Sequence, residues 1–334
     1  MSTSLLKTLG FIVLLSACAS ASRNGTAKNT LLSSEQQETT SNSINNNTFT
    51  PDTALVNKTA LSLLDLPQSQ DGDIILSEGF YEADFKSYCL QPGTPGPSAM
   101  DAYLQAPLGG YRKDIVETIL RNSLSRPDLE QRNIQLLLWS VVSGSDYSKL
   151  NPSVKSTARQ LLTSKQVFAL QGGMIGMMKT IAAAFPDNGI NPVFNDMRQL
   201  FELGSSSYEA YEQIAVLRQA SSISHADYKR DQWYKQEGGY YARYFPSSYQ
   251  RIKIQVYVPA GCLDAEGKKS GDYLLFDPVT MMAVSANSNA QRLGIGSPVA
   301  DVIRKVIQVQ KIPRTPKKPP VSNPNPNPKG IVLK

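Results

Sequence analysis

Two breaks in composition confine folding to the middle of this chain. Residues 19 to about 70 are rich in Ser, Thr, Asn and Gln, and the run from Ser41 to Thr48 offers only Ile44 to bury. A segment so poor in apolar side chains cannot offset its own ordering entropy and is expected to stay disordered. From Ile312 the chain turns to Pro, Lys and Asn, ending in repeated Asn-Pro steps from Asn323 to Pro328, which favours extended polyproline-like conformations. The chain divides accordingly into an N-terminal leader at 1–17, a tether at 18–70, a folded domain at 71–310 and a basic Pro/Asn-rich tail at 311–334.

Within the folded part, hydrophobic periodicity changes twice. Asp71-Gly72-Asp73 reads as a turn and Ile74-Ile75-Leu76 as a short strand. Gly79 to Gly110 carries four prolines and several glycines, and Gln91 to Ser98 reads as a rigid, turn-rich loop. Helical spacing follows. Ile115, Val116, Ile119 and Leu120 form one stripe, and Ile134, Leu137, Leu138, Val141 and Val142 a second, with Gly144 at its end. Asn151-Pro152 is a cap followed by proline at the first helical position. Ser164 to Phe185 is a further helical stretch with a break at Gly172-Gly173. Asn191-Pro192 opens another, and Ser206 to Glu209 offers a capping box.

After about residue 232 the period becomes two. Ile252, Ile254, Val256 and Val258 alternate with Lys253, Gln255 and Tyr257, the pattern of a half-buried strand. Tyr273 to Phe276 is a second strand, with a hairpin loop at Gly267–Gly271 before it. The expected fold class is α+β: a mainly helical middle followed by a small C-terminal antiparallel sheet that also takes in the early strand.

The N-terminus carries an address. Met1 to Thr8 has one basic residue, Lys7, and no acid; Leu9 to Leu15 is apolar apart from Gly10; then comes Leu15-Ser16-Ala17-Cys18. A short positive region, a short apolar run and small residues at the cut describe an export signal, and the run is too short to span a bilayer. The last four residues resemble the lipobox of bacterial lipoproteins. The resemblance covers residues 1–18 alone. It implies cleavage after Ala17 and a diacylglycerol on the Cys18 thiol. It further implies, because no Asp follows Cys18, an outer-membrane lipoprotein with its body facing the periplasm. The alternative is ordinary cleavage after Ala19-Ser20-Ala21 and a secreted soluble protein. Folding in an oxidising compartment leaves Cys89 and Cys262 as an even pair, and a disulfide between them is the simplest reading; two buried free thiols are the other.

The formal net charge is +6, much of it in the tail. An exported basic protein meets phosphate-bearing lipids or cell-wall polymers and not nucleic acid. The search for catalytic groups finds one histidine, His225, and no nucleophile elbow. One histidine and two cysteines cannot build an ordinary zinc site, the acidic turns do not continue as calcium loops, and Gly172 to Gly176 lacks a P-loop's Lys-Ser/Thr. No cofactor or metal is called for. The most suggestive segment is Tyr228–Tyr257, where aromatics alternate with Lys and Arg. Trp233, Tyr234, Tyr240, Tyr241, Arg243 and Tyr244 form the candidate ligand-binding set, since aromatic faces beside cations stack on flat ligands. The competing reading is aromatic packing around a strand. The function expected is a non-catalytic binding or assembly factor for an envelope protein complex or glycan polymer. The alternative is a cell-wall or glycan hydrolase working through carboxylates such as Glu78, Asp84 or Glu237, and a third is a passive structural lipoprotein.

Overall fold

The computed structural model describes residue 55 and residues 58–109, 112–171, 192–205, 207–221 and 228–299. Their centre is a six-stranded antiparallel sheet closed on itself. The strands are β1 (Gly79–Cys89), β2 (Tyr103–Pro107), β3 (Tyr241–Ser248), β4 (Arg251–Val258), β5 (Met281–Ser285) and β6 (Leu293–Pro298). Around the ring the order is β1-β6-β5-β2-β3-β4 and back to β1. This corrects the expected mainly helical fold with a small C-terminal sheet: the organising element is a closed barrel, into which the helices are inserted between β2 and β3.

The correction has a local cause. Gly79–Gly110 reads as a loop because of its prolines, yet β1 alternates over its length. Tyr81, Ala83 and Phe85 point into the barrel while Glu82, Asp84 and Lys86 line its outer face. Their partners are far along the chain: Tyr81 faces Val256, Ala83 faces Ile254 and Phe85 faces Ile252. On the other side of β4, Ala242, Tyr244 and Pro246 face the same three residues. Pro246 sits beside the register shift that ends the β3–β4 ladder, where a missing N–H is tolerated. The core strand β4, whose alternation is plain in the sequence, is where expected.

Two short strands extend the ring. Leu61–Ser62 runs parallel to Tyr81–Glu82 of β1, and Tyr234–Lys235 pairs with the start of β3. Packed chain therefore begins before Asp71; Leu63 and Leu64 belong to the core. The early strand Ile74–Ile75 is present but pairs with Leu275–Phe276 and bridges to Gln68, outside the barrel.

Six helices lie among the described residues: α1 (Lys113–Ser123), α2 (Gln131–Ser143), α3 (Pro152–Leu161), α4 (Ser164–Gln171), α5 (Pro192–Glu202) and α6 (Tyr208–Ala215). The caps at Asn151 and Gly144 behave as read, whereas Ser206 of the expected capping box lies outside the described residues and Ser207 is the N-cap. Asn151 accepts from Val154 N at 2.9 Å, Ser207 caps α6 through Ala210 N, and Gly144 ends α2 in the left-handed region at φ 71°. Central helix α2 is buried on nearly every side, packed between β1, α3 and α5. Its buried Gln135 pairs with the Cys89 backbone in both directions, accepting from the N–H at 2.8 Å and donating to the carbonyl at 2.9 Å. One side chain thus completes the end of the β1 ladder. On the far edge, β6 has glycine where helix and strand crowd it: a Cβ on Gly296 would stand 2.6 Å from the Tyr88 ring.

Candidate binding groove

The candidate site lies on the outer face of the barrel, where β6 leaves the edge of β1. Pro298 pairs with Phe85, and Val299 N donates to Asp84 O at 2.9 Å. Leu61–Ser62 takes over the same edge at Tyr81–Glu82. The gap between Leu61–Ser62 and Val299, floored by β1 and β4, is an open groove of about 540 Å³.

Its floor is a polar ladder. The outward positions are Glu82, Asp84 and Lys86 on β1 and Arg251, Lys253 and Gln255 on β4, and the register sets Asp84 opposite Lys253 and Lys86 opposite Arg251. The ion pairs form on the diagonal: Arg251 to Asp84 at 3.2 Å and Lys253 to Glu82 at 3.4 Å. Gln255 donates to the second Glu82 oxygen at 2.7 Å and accepts from Arg243 Nε at 2.7 Å. The groove floor therefore carries two acids matched by two bases. Half-exposed pairs of this kind contribute at most about 1 kcal/mol each; their effect is to neutralise the floor. The lips are apolar, with Leu61 62% and Val299 40% exposed. Neutral hydrogen-bonding ligands suit such a surface better than ions.

The aromatic set proposed from sequence is inside the protein. Trp233, Tyr234, Tyr240, Tyr241 and Tyr244 are all buried. They divide among three clusters because successive strand residues face opposite ways. Tyr240 and Tyr244 join the barrel core, where Tyr244 OH donates to Gln105 at 2.6 Å. Tyr234 packs with Tyr228, Leu104 and Ala286. Trp233 and Tyr241 pack outside β3 with Tyr257 and Leu55. Arg243 covers this last group, its guanidinium 4.1 Å from the Trp233 ring centre. No continuous aromatic surface exists for a ligand to stack on among these residues; the packing reading of the segment describes them.

The two cysteines are not brought together. Both are free thiols. Cys89 ends β1 and Cys262 follows β4, and because Gly79 pairs with Val258 they stand at opposite ends of the ladder, roughly 30 Å apart at about 3.3 Å per residue. Burial pushes the Cys89 thiol up to about 12, which removes it as a nucleophile at neutral pH. Cys262 is half-buried, 3.7 Å from Lys269 Nζ. Of the candidate acids, exposed Glu78 accepts from Leu263 N at 3.0 Å, Asp84 is ion-paired in the groove, and Glu237 is exposed in the turn before β3. Glu78 and Asp84 are six residues apart along one strand direction, about 20 Å, too far for a glycosidase pair. Cys18 and His225 lie outside the described residues. Glu78 and Asp84 therefore do not form a hydrolytic pair.

Two buried polar clusters escaped sequence reasoning. Asp101 accepts from Ser288 Oγ at 2.6 Å, Ser221 Oγ at 2.7 Å and Ser98 N at 2.7 Å, and Asn287 Oδ1 accepts from Ala102 N at 2.9 Å. This network fixes the Pro-rich Gln91–Ser98 segment to the turn between β5 and β6, so that segment is a pinned connector. The second cluster joins Arg121 to Asp277 at 2.6 Å and Asp73 at 3.9 Å. Neither carries a sequence signature, since each needs a long-range partner: Ser288 is 187 positions from Asp101, and Asp277 is 156 from Arg121. No group of three or more potential metal ligands is found among the described residues, and none of their helices is long and apolar enough to cross a membrane. Comparison with protein-family models, curated proteins and solved structures finds no match.

Proposed function

We propose that this chain is a lipid-anchored protein of the bacterial outer membrane, its body facing the periplasm. There it acts as a non-catalytic binding or assembly factor for an envelope protein complex or glycan polymer. The Leu15–Cys18 motif supports the anchor, and the residue after Cys18, Ala19 in place of Asp, supports the outer membrane. The observation that carries the binding role is the groove between Leu61 and Val299: an open channel with a charge-balanced floor and exposed apolar lips. An extended polymer rich in amide or hydroxyl groups meets those requirements, because it can hydrogen-bond the ladder while its apolar atoms cover the lips. Arg243, laid over Trp233, flanks the floor on the same outer face and fixes Gln255.

Mild crosslinking in intact cells followed by purification tests this reading. The paired substitution Leu61→Asp and Val299→Asp places charge on both lips without touching the core. The defined partner recovered with the wild-type chain is expected to be lost, with thermal unfolding unchanged. Undiminished recovery of the same partner by the paired variant refutes the groove as the contact. Mass spectrometry of the mature N-terminus separately tests the anchor; an unmodified Cys18 thiol, or a chain starting later, refutes it.

A further inference from the structure

The outer face of β1 and β4 holds one base more than its acids can pair. Its bases are Lys86, Arg251 and Lys253, and its acids are Glu82 and Asp84. Each paired base leans one step towards the Gly79 end of β1: Arg251 takes Asp84 at 3.2 Å and Lys253 takes Glu82 at 3.4 Å. Lys86 is left over, and its ammonium has no ion-pair partner among the described residues. The register makes this unfavourable. Ser87 N donates to Gln250 O at 3.0 Å, so the adjacent pair, Lys86 and Arg251, is a non-hydrogen-bonded one, where Cα atoms approach to about 4.5 Å and side chains lie close. Like charges directly opposite one another destabilise a ladder. Lys86 is half-buried and stands beside a second base at the end of an open groove, an arrangement complementary to an anionic group from outside.

We infer that the groove takes an extended polypeptide segment, with an aliphatic side chain against the Val299 lip and an acidic side chain at Lys86. The inference rests on the groove being the binding site and chooses between the two polymer classes proposed for it. Val299 is bonded to Asp84, and Lys86 is two residues further along β1, about 6.6 Å at 3.3 Å per residue. Same-face side chains of an extended peptide repeat at that same distance. An aliphatic residue at i and an acidic one at i+2 therefore meet both contacts, while the peptide amides can hydrogen-bond the matched acids and bases of the floor. A glycan is served less well. The residues lining the groove include no aromatic ring. Phe245, opposite Lys253 on β3, and Trp233 both lie under Arg243, whose guanidinium stands 5.4 Å and 4.1 Å from their ring centres. Neither offers an open face for a sugar ring to stack on.

The test selects from a random short-peptide display library on the full chain and measures the recovered peptides by fluorescence anisotropy. Peptides that pair an aliphatic residue with Asp or Glu two positions away are expected to dominate. Lys86→Glu sets an acid opposite Arg251 and so does not threaten the ladder; it is expected to weaken these peptides at least about fivefold and to turn selection towards Lys or Arg at that position. The paired Leu61→Asp and Val299→Asp variant is expected to lose them. The basic 311–334 sequence can attract acidic peptides with no help from Lys86, so an acidic preference unchanged in Lys86→Glu overturns the inference. So does selection without acidic preference, or the recovery of no peptide by the wild-type chain. If the species bound by the wild type and lost from the paired variant is a cell-wall glycan, the groove stands as the site and the peptide inference fails. If the selected peptides bind the paired variant undiminished, the groove itself fails as the site, and the inference with it.

Discussion

Removing Arg121 should produce a loss of stability that depends on pH. Arg121 ends α1 and reaches two carboxylates, Asp277 at 2.6 Å and Asp73 at 3.9 Å, with side chains 7% and 3% exposed. It also donates to Asp71 O at 2.9 Å and contacts Glu117 at 3.4 Å. Burial raises the Asp277 carboxyl above its ordinary range, Arg121 draws it back down, and Asp73 pushes it up again. A carboxyl raised by folding adds stability that is full below its unfolded pKa and is lost as pH rises through the folded value. At neutral pH the ionised pair therefore depends on Arg121. Arg121→Met keeps the aliphatic stem and deletes the charge, leaving buried carboxylates without a counter-ion. Breaking a buried pair costs about 3–5 kcal/mol. The Arg121 side chain is 26% exposed, so water reaches the site and the lower end, about 3 kcal/mol, is expected near neutral pH. Burial holds the Asp277 carboxyl above its ordinary range, so lowering the pH protonates it and should reduce the penalty. Urea unfolding followed by the fluorescence of buried Trp139 and Trp233 measures both values. Adding Asp277→Asn should recover part of the loss, so the double variant is less destabilised than the sum of the singles. A penalty equal at both pH values, or strict additivity, refutes this account of the cluster.

Two further outcomes follow from the barrel's ends. Gln135→Leu leaves the Cys89 N–H and carbonyl without their side-chain partner in a dry site, and is expected to cost about 2–4 kcal/mol in urea unfolding; a change below about 1 kcal/mol would show another group replaces it. Alkylation of the native protein near neutral pH should label half-buried Cys262 and spare Cys89, whose thiol burial keeps protonated until the chain unfolds. If neither cysteine reacts until a reductant is added, the two are joined after all and the separation along the β1–β4 ladder is wrong.

What was legible in the sequence is what local spacing controls. Helices α1, α2, α3 and α5 and the caps at Asn151 and Gly144 depend on contacts within a turn or two, and a period of 3.6 records them. Strand β4 was legible for the same reason, its four inward aliphatics being strictly alternate. Strand β1 alternates too, but its inward set mixes Tyr81, Ala83, Phe85 and Ser87, and the prolines beyond it suggested a loop. Its partner β4 lies more than 160 residues away, and a pairing at that distance leaves no local trace.

The aromatic segment shows the same division. The sequence determined that Trp233, Tyr234, Tyr240, Tyr241 and Tyr244 would be neighbours along the chain, and that bases would lie between them. Closure of the barrel decided that the rings would fall on different sides of one strand and be sealed into separate clusters, with Arg243 laid over Trp233. The groove was decided at this level alone. Leu61 and Val299 come from opposite ends of the folded chain, and they meet because β1 offers one edge long enough for two segments to share. The sequence by itself determined the charge of the tail and the spacing that makes the helices, since these depend on composition or on nearest neighbours. The ring of strands, the buried ion cluster and the groove depend on which distant surfaces exclude water together, and only the tertiary structure settles that.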